Sequence, residues 1–239
     1  YVINLEKEFS RQVIDYFCKS YESALTPNPC IICNEKIKFD LFLNKARALN
    51  ADYIASGHYA KVSFDRNSKR FFIKEASDRH KDQSYVLFSL SQEVLSKLIL
   101  PLGGLRKTNV RKIAKKAGFK VYNKKDSQEI CFIPDDNYGK FVMSKSRYDF
   151  LPGPVELVDG TQLGEHRGIL HYTVGQRRGM GIAYKEPLYV IKILPGKNKI
   201  IVGTKKQTFK KILIAEKLNW LKIIPKIKIF PIYNMTNSP

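Results

Sequence analysis

The sequence predicts an α/β fold followed by a smaller β-rich region, and three patterns support this assignment. Apolar residues at four-residue spacing over residues 5–21 indicate one face of a helix. Asp52-Tyr53-Ile54-Ala55 is predicted to be a short buried strand that is closed by Ser56-Gly57-His58, and helix, strand and glycine-containing turn is the order of an α/β sheet. After about residue 140, apolar and polar residues alternate across turns, which is typical of hairpins.

Two helices are predicted before the strand. The first helix places these residues on one face: Leu5, Phe9, Val13, Phe17 and Tyr21. It ends before Thr26-Pro27-Asn28-Pro29, because two prolines do not allow the helix to continue. The second helix is predicted over residues 35–49, and these residues are expected to face inward: Ile37, Leu41, Phe42 and Ala46.

Further elements follow the strand. Phe71-Phe72-Ile73 and Tyr85-Val86-Leu87-Phe88 are predicted to be strands or short buried helix. Thr108 is predicted to cap a helix that ends at Gly118. The apolar residues of this helix have helical spacing, and they are Val110, Ile113, Ala114 and Ala117. Basic residues lie on and around the outer face.

The β-rich region contains two predicted hairpins. Residues 155–163 alternate across Asp159-Gly160, a strong hairpin signal. Residues 188–193 and 199–202 form the second hairpin, with a longer loop. We therefore predict three units, namely residues 1–139, a β-rich domain over 140–204, and the start of a third unit with strand-like runs over 205–239.

Composition and charge limit the classes of function. The apolar fraction of 44% is ordinary for a globular protein, and we predict neither a membrane span nor a signal peptide. The net charge is +20, and residues 106–125 hold nine Lys or Arg and no Asp or Glu. Lysine drift in an AT-rich genome would also give this pattern, but a polyanion-binding surface is the functional interpretation, and nucleic acid is the commonest such partner.

Two cysteines have unusual surroundings. Cys33 and Cys131 each lie in a short stretch of turn-forming and polar residues near basic side chains. Such surroundings are expected to favour the thiolate. If the two thiols meet, they provide a nucleophile and a partner thiol for sulfur transfer or redox chemistry. Four cysteines without a signal peptide indicate reduced thiols, in the cytoplasm or in an organellar matrix.

The other candidate residues have ordinary interpretations as well. Cys30 and Cys33 form a CxxC pair, which alone could be half of a zinc site or two loop cysteines. Cys18 is expected to be a semi-buried helix residue. Gly57-His58 could contact a nucleotide at a strand end, or His58 could be an ordinary hydrogen-bonded histidine. Lys81-Asp82-Gln83 alone reads as a solvated loop.

Together these strings resemble the tRNA-specific 2-thiouridylase family (MnmA/TrmU). The resemblance covers most of residues 24–204 and rests on strings that begin with residues 26–39 and 56–60. It continues with these segments: Lys81-Asp82-Gln83-Ser84-Tyr85, Pro101-Leu102-Gly103-Gly104-Leu105, residues 125–134, residues 164–168 and residues 171–179. Several of these strings are long and nearly unique to the family.

The resemblance implies a fold and a reaction. The fold is a Rossmann-like adenine nucleotide alpha hydrolase (PP-loop ATPase) domain, here N-terminally incomplete, followed by the β-rich domain and the start of a C-terminal β-barrel. The reaction uses ATP, with Mg²⁺, to activate the 2-position oxygen of the wobble uridine and then replaces it with sulfur. The partners implied are tRNA and a sulfur-donor protein, either a persulfide carrier or a cysteine desulfurase.

The resemblance also implies residue roles. Cys131 matches the persulfide-carrying cysteine, and Cys33 matches the second catalytic cysteine and its disulfide partner. Gly57 matches a nucleotide-contacting glycine. The tRNA-contacting positions are implied to be these: Asn28, Pro29, Cys30, His58, Lys81, Asp82 and Gln83. Many relatives have Asp where this sequence has Cys30, so this sequence departs from the family pattern at that position.

A second departure concerns ATP. The family has a Ser-Gly-Gly-x-Asp-Ser type phosphate loop, and this sequence has none, so we expect a fragment, one piece of a split gene or a remnant. Two alternative functions stay open at this stage. One is a non-catalytic tRNA-binding fragment or remnant, and the other is a zinc-binding or thiol-redox protein.

Overall fold

The computed structural model describes residues 2–124, 130–133, 135, 137–212 and 214–222. The predicted segments 125–129 and 223–239 lie outside the described residues, as does Pro134. The helices are α1 Glu6–Phe9, α2 Asp15–Glu22, α3 Pro29–Ile32, α4 Phe42–Ala48, α5 Gln92–Ser96, α6 Lys107–Lys116, α7 Tyr138–Lys145 and α8 Lys205–Thr208. The strands are β1 Ile54–Ala55, β2 Lys61–Asp65, β3 Arg70–Lys74, β4 Leu98–Ile99, β5 Gly153–Leu157, β6 Gln162–His166, β7 Tyr189–Leu194 and β8 Lys199–Gly203.

Two long helical stretches form the first part of the chain. A π-helical segment, Ser10–Ile14, joins α1 to α2, and the junction residues keep right-handed helical angles. A second π-helical segment, Cys33–Leu41, joins α3 to α4 in the same way. The first stretch matches the predicted helix over residues 5–21.

The predicted start of the second helix, at residue 35, was wrong, because the helix begins at Pro29. Proline fits the first position of a helix, where its missing N–H has no intrahelical partner. The Asn28 side chain caps this end by accepting a hydrogen bond from the Cys30 N–H at 3.1 Å. Phe42 was expected to face inward, but 38% of its surface is exposed. Cys30 and Cys33 therefore lie on a helix rather than in a loop.

A short parallel sheet orders the α/β region. β1 pairs in parallel with β4, with Ile54 opposite Leu98 and Ala55 opposite Ile99. Ser56-Gly57-His58 follows the carboxyl end of β1, as predicted. β2 and β3 form an antiparallel hairpin, so Phe71-Phe72-Ile73 is a strand. Tyr85-Val86-Leu87-Phe88 is not a strand, since Ser84–Val86 is a 3₁₀ turn in which Val86 is buried and Tyr85 is exposed.

The β-rich region contains a four-stranded sheet in the order β6-β5-β8-β7. The β5–β6 and β7–β8 pairs are antiparallel hairpins, which confirms both predicted hairpins. β5 and β8 pair in parallel and join them. Gly160 lies in the first turn at a φ of 92°, a conformation that glycine adopts without steric cost.

Three apolar clusters hold the elements together. The first packs the helix Phe42–Ala48 and the π-helical segment before it against the parallel sheet, through Phe39, Leu43 and Ile54. The second lies under the four-stranded sheet and includes Val155, Ile169 and Ile200. The third joins α2 to α7 and contains these residues: Phe17, Cys18, Tyr21, Ile133, Val142 and Leu170. Cys18 is buried there, as the helix pattern indicated.

Two predictions near the surface were wrong in detail. Thr108 does not cap α6, because the helix begins at Lys107 after Arg106. Asp78 accepts the Lys107 N–H at 2.9 Å and satisfies this helix end from a distant part of the chain. The apolar face of α6 is not buried either, since 58% of Ile113 is exposed.

The third predicted unit is not confirmed as a barrel. In the described part of residues 207–222 the backbone forms no strand. Arg70 donates hydrogen bonds to the carbonyl oxygens of Trp220 and Leu221, so this segment lies against the α/β region. Across the described residues, no helix is both long and apolar enough to cross a bilayer.

Candidate active site

The start of the second helical stretch fixes the position of two cysteines. Asn28 caps the helix, and Pro29 occupies its first turn and is buried. Cys30 is exposed and Cys33 is partly buried. Residues three apart on a helix are neighbours, so both thiols lie on the same side of this helix start. Cys33 is also the first residue of the π-helical segment, and π-helical turns are frequent at functional sites.

The residue after Cys33 anchors this helix. Asn34 is 1% exposed, and its side-chain amide donates a hydrogen bond to the Val86 carbonyl oxygen at 3.2 Å. The oxygen of the same amide, Oδ1, is buried without a hydrogen-bond partner among the described residues. A buried polar side chain needs its bond to offset its desolvation, so this contact fixes the helix against the 3₁₀ turn Ser84–Val86.

Cys131 lies at the surface of an anchored turn. The Ile133 N–H donates to the Ile130 carbonyl oxygen at 3.0 Å and closes the turn. The Phe132 ring lies 5.4 Å from the Phe17 ring in an edge-to-face arrangement, and Ile133 is buried in the same cluster. The apolar residues on each side thus hold the turn on α2 and leave Cys131 exposed.

The three thiols act on one another electrostatically. Burial raises the pKa of the Cys33 thiol, Lys38 lowers it, and Cys131 and Cys30 raise it. Burial also raises the pKa of Cys30, Cys131 raises it further, and Lys38 lowers it. Cys131 is therefore near enough to influence both Cys33 and Cys30, and a direct meeting of Cys131 with Cys33 stays a prediction. All three are free thiols, and no disulfide joins the described cysteines.

The expectation that basic surroundings favour the thiolate was wrong for Cys33, and the same cause acts on its neighbour Cys30. Both thiols have raised pKa values, because loss of solvent around the sulfur outweighs the single nearby cation, Lys38. Burial stabilises the neutral thiol, and the neighbouring thiols add like charge when they ionise. At neutral pH these two cysteines are therefore mainly protonated.

Lys38 is a site residue that sequence reasoning did not single out. Its charge lowers the pKa of Cys30, Cys33 and His58. It also lines a cavity of about 260 Å³, whose other walls are mostly apolar: Leu5, Ile37, Phe39, Phe42, Ile54, Ala55 and Ser56. The sequence signal was its five-residue spacing from Cys33, which places both on one side of a π-helix but on different sides of an α-helix.

Gly57 and His58 lie where the parallel strands end. A Cβ at Gly57 would meet only Leu102, at 3.7 Å, so the space beside this α-carbon is nearly empty. His58 is partly buried, its Nδ1 lies 2.5 Å from the Ser56 hydroxyl, and its ring lies 5.6 Å from Phe39. Burial, with Lys38 as second cause, lowers the pKa of His58 to about 4, so the ring is neutral at pH 7.

Asp82 and Gln83 have defined structural partners. The Asp82 carboxylate accepts hydrogen bonds from the Ala76 N–H at 2.7 Å and the Ser84 hydroxyl at 2.6 Å. Gln83 exchanges two bonds with Tyr59, whose N–H donates to Oε1 at 3.0 Å and whose carbonyl oxygen accepts at 2.8 Å. The Lys81-Asp82-Gln83 segment is therefore folded against the residue that follows His58. This is more order than the solvated-loop interpretation predicted.

The described residues do not group three His, Cys, Asp or Glu side chains in a way that could hold a metal ion.

A basic surface lies on α6. Lys112, Lys115 and Lys116 are exposed there, on a helix of which no residue is buried. Such a surface suits phosphate groups.

Two family models match the chain. The model described as tRNA methyl transferase HUP domain matches residues 1–135. The model described as tRNA methyl transferase PRC-barrel domain matches residues 140–204. A Rossmann-like α/β domain followed by a small β domain is the fold class that the sequence predicted. The boundaries 1–139, 140–204 and 205–239 stay predictions.

Similar proteins have concordant names. A protein of Halothermothrix orenii named tRNA-specific 2-thiouridylase MnmA is 48% identical over 223 residues, which is 93% of this chain and 62% of that protein. The protein of the same name from Clostridioides difficile is 46% identical, with the same coverage of 93% and 62%. A Clostridium tetani protein named tRNA-specific 2-thiouridylase MnmA 1 is 44% identical over 95% of this chain and 63% of its own length. The chain thus spans about three fifths of the length of these relatives.

Proposed function

Because the chain belongs to the tRNA-specific 2-thiouridylase family, we propose that it takes part in the synthesis of 2-thiouridine in tRNA. The proposed reaction replaces the 2-position oxygen of the wobble uridine with a persulfide sulfur. ATP supplies the activation, by turning that oxygen into part of a good leaving group. The observation that supports this proposal best is the electrostatic effect of Cys131 on the pKa of the Cys33 thiol.

The two cysteines divide the sulfur chemistry. Cys131 is exposed, so a sulfur-donor protein can load it with a terminal sulfur. That sulfur attacks the activated carbon and stays bonded to Cys131, while the carbon–oxygen bond breaks and the oxygen leaves as part of AMP. The Cys33 thiolate then attacks the Cys131 sulfur, and the electron pair of the broken S–S bond leaves on the base as its thiocarbonyl sulfur. A Cys33–Cys131 disulfide remains, and a reductant must supply two electrons to reopen it.

The described residues fit a nucleotide at the end of the parallel sheet. Gly57 has nearly empty space beside its α-carbon after the carboxyl end of β1, which is where ligands bind in such sheets. Gly103, in the turn after β4, packs closely on this region, because a Cβ there would lie 1.8 Å from the Ala60 carbonyl oxygen. Mg²⁺ would bind mainly through phosphate oxygens and water in this proposal, since it keeps several waters and needs few protein ligands.

The tRNA contacts are proposed on two surfaces. The base-proximal surface contains the Asn28–Cys30 helix start, His58 and the Lys81–Gln83 segment, which the Tyr59–Gln83 bonds hold beside His58. The exposed lysines of α6 form the phosphate-binding surface. The target base must leave its stack to reach the thiols, so recognition combines shape, phosphate contacts and a flipped base. We propose the cytoplasm as the compartment, in keeping with free thiols.

Thiolation of unmodified tRNA tests the proposal. The complete protein, with any residues encoded upstream of Tyr1, is incubated with ATP, Mg²⁺, a persulfide donor and tRNA, and 2-thiouridine is measured by mass spectrometry. We expect thiolation by the wild type and by Cys18→Ser, whose cysteine is buried in an apolar cluster and has no part in the sulfur transfer. Cys131→Ser and Cys33→Ser should abolish thiolation but leave tRNA binding intact. Thiolation by Cys131→Ser would exclude its assigned role.

The same assay separates the alternatives. A non-catalytic tRNA-binding protein would bind tRNA in a salt-dependent way but form no 2-thiouridine with any of the four proteins. A zinc protein would contain stoichiometric zinc that Cys30→Ser and Cys33→Ser remove.

A further inference from the structure

Cys30 is a third thiol in the site, and the sulfur transfer described above does not use it. It lies one helical turn before Cys33, on the same helix start. Cys131 also acts electrostatically on Cys30 and is the second cause of its raised pKa after burial. Cys30 is exposed, whereas Cys33 is partly buried. Two free thiols therefore lie one helical turn apart, and the outer one has no assigned task in the sulfur transfer.

We propose that Cys30 is a resolving cysteine that moves the disulfide off Cys131 after each sulfur transfer. The Cys30 thiolate attacks the Cys33 sulfur of the Cys33–Cys131 disulfide. A Cys30–Cys33 bond forms, the Cys33–Cys131 bond breaks, and the electron pair leaves on the Cys131 sulfur, which then takes up a proton. One disulfide and one thiol are consumed and one of each is produced, so the exchange needs no oxidant or reductant.

This exchange restores the residue that must accept the next sulfur. Cys131 becomes a free thiol on an exposed turn, where the donor protein can load it again. The oxidising equivalents are left on the Cys30–Cys33 pair at the start of α3, where Cys30 is open to solvent. A protein or small-molecule dithiol then supplies two electrons and two protons to reduce this pair. Loading and reduction thus occur at different sulfurs.

Helix geometry makes the new disulfide easy to reduce. Side chains three residues apart on a helix have Cβ atoms roughly 5–6 Å apart, whereas an unstrained disulfide requires about 3.5–4.5 Å. The Cys30–Cys33 bond therefore strains the first turn, which Asn28 and the buried Pro29 hold in place. Strained and exposed disulfides have more oxidising potentials and are the labile, catalytic ones. A turnover intermediate needs this property.

Disulfide mapping without tRNA or ATP tests the exchange. Reduced protein receives one equivalent of diamide, the oxidant is removed, and samples are alkylated over time and mapped by mass spectrometry. We expect part of the Cys33–Cys131 population to convert to Cys30–Cys33 at constant total disulfide, with the strained Cys30–Cys33 disulfide as the smaller population. Cys30→Ser should keep Cys33–Cys131, and Cys18→Ser should behave as the wild type. A wild type in which no Cys30–Cys33 disulfide forms would overturn the proposal.

A turnover assay tests the catalytic consequence, which depends on the proposed function. With dithiol reductant present, the later turnovers of Cys30→Ser should be at least about tenfold slower than its own first turnover, whereas the wild type should show no such slowing. Later turnovers of Cys30→Ser that are as fast as its first turnover would overturn the resolving role. The mapping experiment and the thiolation assay can give opposite results, so a failure of the exchange can be distinguished from a failure of the proposed function. If no protein thiolates tRNA but the mapping succeeds, the proposed function fails and the exchange stands.

Discussion

The Asn34 side-chain amide donates a hydrogen bond to the Val86 carbonyl oxygen, and this contact joins the residue after Cys33 to the 3₁₀ turn that follows Lys81-Asp82-Gln83. Both ends of the contact are buried, with Asn34 1% and Val86 5% exposed. The bond therefore connects the helix that presents Cys33 to the segment beside His58. Two strings that are far apart in the sequence act as one rigid unit because of it.

Asn34→Ala should destabilise the protein and loosen this unit. The substitution leaves the Val86 carbonyl oxygen buried without its donor, which costs about 1–3 kcal/mol. Urea unfolding measures the loss. Asn44→Ala is the matched control, because the Asn44 amide makes only an exposed 3.4 Å bond to Asp40 and its removal should change stability by less than about 0.5 kcal/mol. Equal stability of the two variants would show that the buried bond adds nothing.

Lys38→Met should raise the pKa of the Cys33 thiol further, because it removes the one cation that opposes burial there. The groups that act on Cys33 are Lys38, Cys131 and Cys30, so the measurement uses a protein in which the other three cysteines are serine. Iodoacetamide alkylation of Cys33 is followed against pH, and the midpoint should move upward in Lys38→Met and stay near the parent value in Lys38→Arg.

Lys36→Met is the control for that measurement. Lys36 forms an ion pair with Glu35 at 2.7 Å and is not among the groups that act on Cys33. Its removal takes away the same charge two residues earlier on the same π-helical segment. An equal shift in both variants would mean that the effect comes from the general charge of the helix rather than from Lys38.

His58 should make stability depend on pH in the acid range. Its folded pKa is about 4, below the ordinary value of 6.5, so the unfolded chain binds the proton more tightly. The contribution is fully present above about pH 6.5 and is lost as pH falls from there toward 4. Urea unfolding at about pH 7.5 and about pH 5 should show a smaller acid loss in His58→Gln than in the wild type. His166 and His171, whose pKa values burial also lowers, contribute equally to both proteins.

The exposed lysines of α6 should set the salt dependence of tRNA binding. Lys112→Glu with Lys116→Glu should weaken binding and reduce the slope of log affinity against log salt, by about 0.7–0.9 for each phosphate that is no longer neutralised. Filter binding at several salt concentrations measures both quantities. The control is the charge reversal Arg66→Glu, at a residue that is exposed in the β2–β3 turn. It should change the slope less than Lys112→Glu or Lys116→Glu alone. An unchanged slope in the double variant would exclude α6 as the phosphate-binding surface.

Much of this arrangement could be predicted from local sequence, and the missing parts depend on distant contacts. Asp159-Gly160 defined its hairpin, and the surroundings of Cys33 and Cys131 indicated a shared site. The cap of α6 could not be predicted, because its acceptor is Asp78 rather than a neighbour of Lys107. The pKa of the Cys33 thiol was predicted in the wrong direction, since sequence shows nearby lysines but does not show burial of the sulfur. The helix start at Pro29 was missed for a local reason, because proline ends one helix and also begins the next.

Two glycines in the β-rich region should respond in opposite ways to substitution by alanine. A Cβ at Gly153 would lie 2.2 Å from the Asn198 carbonyl oxygen and 2.8 Å from His166 Nε2. These two atoms already share a hydrogen bond of 2.9 Å, and Asn198 also donates to the Leu151 and Pro152 carbonyl oxygens, so neither can move freely. Gly153→Ala should therefore cost more than about 2 kcal/mol of the free energy of unfolding.

Gly164 lies on the neighbouring strand, opposite Val155, and a Cβ there would meet nothing within 4 Å. Its φ is not positive, so alanine fits its backbone, and the loss of unfolded-chain entropy should make Gly164→Ala neutral or more stable by about 0.4–1 kcal/mol. Thermal and urea unfolding of both variants measure the contrast. If both substitutions were equally harmful, glycine would be needed on these strands for backbone freedom, and the close packing of Gly153 against Asn198 and His166 would not be the reason.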